Sequence, residues 1–80
     1  MNPFVQWREQ HGLSRREVAL LGRLNYGQVA ATEIGLVLRP NRGVLQVVEH
    51  MDGAVAAKQL ESAYTAWRES EAMALSAHLK

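Results

Sequence analysis

Eighty residues with no cysteine, 48% hydrophobic and 21% charged, with a formal net charge of +1, describe one small globular domain. The composition excludes a disulfide framework and cysteine-based metal or redox sites, and no apolar run is long enough to span a membrane. The first residues lack a basic segment leading into an apolar one, so no signal peptide is expected. The expected setting is the cytoplasm of a bacterial, archaeal or phage-infected cell. A core of this size is marginal, so tight helix packing or a second subunit would help it.

The first helix is predicted from about Pro3 to His11. Asn2 is a capping residue, Pro3 suits the first helical position, and Gly12 suits the stop. Phe4, Trp7 and His11 then share one face. Ser14 followed by Glu17 has the spacing of a capping box, and so has Asn25 followed by Gln28. These open a second helix, about Arg15 to Leu21, and a third, about Tyr26 to Ile34. Gly22-Arg23-Leu24 lies between them as a turn, with the glycine expected to make the reversal. Two short helices joined this way have the layout of a helix-turn-helix.

Gly35 ends the third helix, and Leu36 to Arg39 forms an apolar connector, because Pro40 disfavours helical backbone at Arg39. Asn41 caps a fourth helix, roughly Arg42 to Met51, with Val44, Leu45, Val48 and Met51 as its buried stripe. Asp52-Gly53 breaks the chain again. From Ala54 to His78 there is no glycine or proline and alanine is abundant, which predicts one long final helix. Val55, Leu60, Ala63, Tyr64, Trp67, Ala74 and Leu75 fall near one broad stripe. Glu71 interrupts it, so a regular coiled-coil seam is not expected. The whole chain reads as one all-α, five-helix domain, with a core over 3–51 and a long C-terminal helix over 54–78.

Charge is unevenly spread. Arg8, Arg15, Arg16, Arg23, Arg39 and Arg42 all precede Asp52, and no lysine does. Arginine forks suit phosphate oxygens and guanine edges. Enzyme signals are weak: His11, His50 and His78 are far apart in sequence and none sits in a metal-binding array, so no catalytic residue, metal site or cofactor is expected. Trp7 and Trp67 read as core or interface anchors.

From Trp7 to Met51 the chain resembles the Cro/repressor-type, or XRE-like, helix-turn-helix family. The matching residues are Arg8, Gly12-Leu13-Ser14, Glu17-Val18-Ala19, Val29, Glu33, Gly35, Pro40 and the apolar helix ending near Met51. Two features depart from the family pattern: its turn glycine falls where Arg23 stands, and an apolar residue usually occupies the position of Thr32. The resemblance implies a structural pair between Arg8 and Glu33. It implies that Asn25, Tyr26, Gly27, Ala30 and Ala31 face the major groove, with Gln28 flanking. Arg15, Arg16, Arg23, Arg39 and Arg42 are the candidate phosphate contacts, which set register without reading sequence. The implied function is a sequence-specific transcriptional regulator of phage, plasmid or mobile-element type, a repressor that binds double-stranded DNA at a pseudo-palindromic operator as a homodimer. Ala54 to Lys80 is the expected dimerisation element, with Leu60, Tyr64, Trp67 and Leu75 as its large residues. The alternative is a protein-binding module on the same fold, such as an antitoxin or a modulator of a host complex.

Overall fold

A computed structural model describes residues 1–78. It contains five helices: α1 (Pro3–Gln10), α2 (Arg15–Gly22), α3 (Tyr26–Glu33), α4 (Arg42–Asp52) and α5 (Ala54–His78). The described residues contain no strand. The helix starts follow from their caps. Asn2, Ser14, Asn25 and Asn41 each accept a backbone N–H of the first turn, and the Ser14–Glu17 and Asn25–Gln28 boxes are both reciprocal.

The core gathers Phe4, Trp7, Val18, Val29, Val44, Val48, Ala57 and Leu60 from all five helices. In α4 the inward stripe is Val44, Val47 and Val48, with Leu45 partly buried. Met51, expected in that stripe, is exposed, and Val47 takes its share of the core. Three- and four-residue spacing fits either set, so the register was settled by what α4 meets.

The α2–α3 turn also differs from expectation. Gly22 is the last helical residue of α2, and the left-handed position belongs to Arg23, at φ 55° and ψ 44°. Gly22 serves close approach instead. A Cβ there would lie 2.8 Å from the Gly43 carbonyl oxygen, and a Cβ on Gly43 would lie 2.5 Å from that of Gly22. The two glycines let α2 and α4 cross with their backbones nearly touching, so neither tolerates a side chain without a backbone shift.

Along α5 only the first half is packed. Ala57, Leu60 and Tyr64 are buried and Trp67 is partly covered. Val55, Ala63, Ala74 and Leu75 are exposed, so the broad stripe read from the sequence is narrower and shorter than expected. From Glu69 to His78 every residue is exposed. Leu79 and Lys80, the end of the expected dimerisation stretch, lie outside the described residues.

Candidate nucleic-acid interface

The α2–α3 unit is held from behind by one buried carboxylate. Glu33, at the end of α3, has a side chain 4% exposed. Arg8 of α1 donates Nε–H to Glu33 Oε1 at 2.7 Å and Nη1 to the Leu13 carbonyl at 2.9 Å. Arg15 of α2 donates to the other oxygen, Glu33 Oε2. A single carboxylate thus joins α1, α2 and α3 through charge-assisted bonds. Two arginines against one carboxylate leave the cluster one positive charge in excess, on the half-exposed Arg15.

Arg15 also donates Nη1–H to the Tyr26 hydroxyl at 3.4 Å. That hydroxyl first, and Glu33 second, hold the Arg15 guanidinium above its ordinary range. Arg8, Ser14, Arg15, Arg16 and Tyr26 line a shallow cup of about 390 Å³. Its lining combines three arginines with the hydroxyls of Ser14 and Tyr26, a chemistry that suits phosphate oxygens.

The end of α3 has a second anchor that the sequence did not announce. Asn2 caps α1 with its oxygen, while its Nδ2 donates to the carbonyls of Thr32 at 2.9 Å and Glu33 at 2.8 Å. The capping signal at Asn2 was legible, but its reach across about thirty residues of chain was not. Thr32 is fully buried, and its hydroxyl donates to the Gln28 carbonyl at 3.1 Å. The polar atom is satisfied inside the helix, so threonine serves where the resembling family carries an apolar residue.

The outward face of α3 carries the residues expected to meet bases. Asn25, Tyr26, Gly27 and Gln28 are exposed, while Ala30 and Ala31 are half-buried. Of the expected phosphate contacts, Arg15 and Arg16 border the cup beside α3. Arg23, at the turn, and Arg42, at the first position of α4, are exposed. Arg39 belongs to a different surface: it shares a depression with Glu61, Ser62, Thr65 and Glu69, two of them carboxylates.

Two of the four residues expected at a dimer interface are not available to one. Leu60 is 8% exposed and Tyr64 fully buried in the chain's own core, with the Tyr64 hydroxyl donating to the Val37 carbonyl at 2.8 Å. Burial also pushes the Tyr64 phenol pKa up. Trp67 covers Gly35, at φ 77°, where a Cβ would come within 2.9 Å of the indole. Leu75 is 63% exposed. The residues missed by the sequence reading are Ile34, Leu36 and Leu38, which are 67%, 70% and 73% exposed along the α3–α4 connector. Between them, the carbonyls of Gly35 and Val37 accept from Arg68 and Tyr64 of α5. Ile34, Leu36 and Leu38 therefore face outward while Gly35 and Val37 are partly covered, an alternation carried by a turn and bends and written in Ile34-Gly35-Leu36-Val37-Leu38.

Among the described residues no three His, Cys, Asp or Glu side chains gather as a metal site, and no helix is long and apolar enough to cross a membrane. Comparison with protein-family models, with curated proteins and with solved structures finds no match to this chain.

Proposed function

We propose that this chain is a DNA-binding transcriptional regulator of the Cro/repressor type, acting as a repressor on a pseudo-palindromic operator in the cytoplasm. The observation that carries the reading is the pairing of an uncovered α3 face with the cationic cup beside it, on two capped helices in helix-turn-helix order. The α3 face enters the major groove, and Arg15, Arg16, Arg23 and Arg42 meet backbone phosphates. A two-fold operator calls for a two-fold protein. The second copy seats on Ile34 and Leu75, which border the depression at Trp67, and on the exposed connector residues Leu36 and Leu38.

The test is the salt dependence of duplex binding. Arg16 and Arg42 make no ion pair among the described residues, so truncating them leaves the fold intact. Arg16→Ala and Arg42→Ala should each weaken binding to all duplexes alike and lower the slope of log K against log salt by about one. Unchanged slopes reject these contacts. Tyr26→Ala should instead reorder the preference among operator variants.

The second reading is a protein-binding module, an antitoxin or a modulator of a host complex. The exposed connector leucines favour it, because they give an apolar docking edge that DNA does not need. Salt-insensitive, negligible affinity for every duplex tested, with tight capture of a protein partner, would select it over the regulator.

A further inference from the structure

The exposed polar groups of α3 are not a balanced set of donors and acceptors. Asn25 Oδ1 accepts the Gln28 backbone N–H at 2.8 Å, and Gln28 Oε1 accepts the Asn25 backbone N–H at 2.9 Å. A backbone N–H only donates, so these partners fix which end of each amide is oxygen. Both carbonyl oxygens are turned into the capping box. Both NH2 groups remain, on exposed side chains, with no partner among the described residues. The Tyr26 oxygen already accepts from Arg15, which leaves its own hydrogen to give. Arg15 has only donors. The Thr32 hydroxyl, which has an acceptor capacity, is buried and bonded inside the helix. Gly27, Ala30 and Ala31 carry no polar side-chain atom. The groups left wholly free for a ligand are hydrogen-bond donors, and the amide oxygens beside them are each already engaged once.

Resting on the regulator reading, we infer that the α3 face is a donor-biased reader, favouring the keto bases guanine and thymine on the strand it contacts. Guanine presents two adjacent acceptors, N7 and O6, in the major groove. Thymine presents O4 beside a methyl group, which suits a helix carrying amide NH2 groups in its first turn and the half-buried Ala30 and Ala31 in the next. Cytosine offers only its N4 donor, and the acceptors on this face, the Asn25 and Gln28 oxygens, each already hold a backbone N–H. The bidentate pairing of an Asn or Gln amide with adenine needs both ends of the amide, the oxygen for N6–H and the nitrogen for N7. Here the oxygens of Asn25 and Gln28 are committed to the helix start. Reading adenine that way would pull on an oxygen that already holds a backbone N–H and weaken the capping box.

Two conservative variants separate reading from folding. Gln28→Glu and Asn25→Asp each keep the capping oxygen and remove the NH2 donor. Melting temperature and helical circular dichroism should stay at wild-type values. Selection from a randomised duplex pool, with wild-type protein and each variant, reads the preference position by position. The wild type should enrich guanine or thymine at the positions that each variant relaxes. Loss of the donor should reduce discrimination there by about tenfold, within the range of a base contact. Gln28→Glu should shift its position toward cytosine, whose N4 donates to a carboxylate. The inference is overturned if the wild type enriches adenine at the position Gln28→Glu relaxes, or if both variants keep the wild-type preferences. Absence of salt-dependent binding to any duplex overturns the regulator reading and the base assignment together. Strong binding with an adenine-centred site overturns the base assignment alone.

Discussion

The two tryptophans mark opposite kinds of joint. At one end of the bundle Trp7 donates Nε1–H to Asp52 Oδ2 at 2.8 Å, and His11 stacks on its ring at a centroid distance of 4.3 Å. His11 places Nδ1 2.8 Å from the Trp7 carbonyl and Nε2 3.1 Å from Asp52 Oδ1. The end of α1 is thereby pinned to the α4–α5 junction by groups that all have partners. At the other end Trp67 lies on Gly35 with its Nε1 buried and without a partner among the described residues. Around it Ile34, Arg68, Glu71 and Leu75 border an open depression of about 230 Å³. The first joint is polar and complete within one chain. The second is held by packing and two carbonyl bonds, and its outer surface is apolar and uncovered. A complete polar joint fixes geometry; an open apolar one gains stability from whatever covers it.

The largest effect should come from the packed part of the open joint. Tyr64→Ala removes a fully buried ring and should cost about 3–5 kcal/mol in denaturant melts. Tyr64→Phe keeps the ring and leaves the Val37 carbonyl without its donor, for about 1 kcal/mol. Leu75→Ala, on the overhanging half of α5, should leave the monomer within about 0.5 kcal/mol of wild type. If Tyr64→Phe costs as much as Tyr64→Ala, the joint is polar after all and the contrast fails.

Next comes the Glu33 hub, a polar joint of the complete kind. Glu33→Ala leaves Arg8, 14% exposed, with only the Leu13 carbonyl, whereas Arg8→Ala leaves Glu33 still paired with Arg15. Each substitution should cost about 1–4 kcal/mol, with Glu33→Ala the larger. The double variant should fall well short of the sum, as expected for partners in one network. Additive effects in thermal melts would show that the three charges act separately.

The five helices, their order and most of their ends were legible because caps, glycines and proline act locally. Asn2, Ser14, Asn25 and Asn41 announce their helices within three residues of sequence, and each cap is present. The Arg8–Glu33 contact entered through family resemblance, since nothing local links residues 25 apart. What escaped was decided by distant partners. Gly22 looked like a turn residue because its partner Gly43 lies on another helix. Tyr64 looked like a dimer-interface aromatic because the acceptor of its hydroxyl, the Val37 carbonyl, lies 27 residues away on the α3–α4 connector. Arg39 looked like the other arginines until Glu61 and Glu69 were found beside it. On α3 the outward face was legible, but the commitment of its amide oxygens appears only when the capping box is seen closed.

The closed joint should also respond to pH. Both His11 ring nitrogens face acceptors, so only the imidazolium can donate to both. The Trp7 carbonyl first, and Asp52 second, raise the His11 pKa above its ordinary 6.5. Trp7 first, and His11 second, lower that of Asp52 below its ordinary 3.8. The histidine contribution is fully present below pH 6.5 and fades as pH rises through the raised value. The aspartate contribution is present above pH 3.8 and is lost as pH falls through the lowered value. Melting temperature should therefore fall between pH 6 and pH 8 by more in the wild type than in Asp52→Asn, which keeps an oxygen for Trp7 and removes the charge. Identical slopes for the two proteins would show that His11 is not tied to this joint.

The smallest effect sharpens the contrast most. Trp67→Phe trims an indole to a phenyl ring and removes the N–H that has no partner among the described residues. Lost contact with Gly35 and relief of a stranded donor oppose each other, so the net change should stay within about 1.5 kcal/mol of zero. Trp7→Phe makes the same change of ring. There the N–H has a carboxylate partner, and its removal also frees Asp52 from one of its two bonds and loosens the stack under His11. Trp7→Phe should therefore destabilise more than Trp67→Phe, and its deficit should shrink at pH 8, where His11 contributes less. Parallel melts of the two variants at pH 5.5 and pH 8 measure that difference directly. Equal costs at both pH values would mean that the indole N–H groups are immaterial and that the two joints are alike.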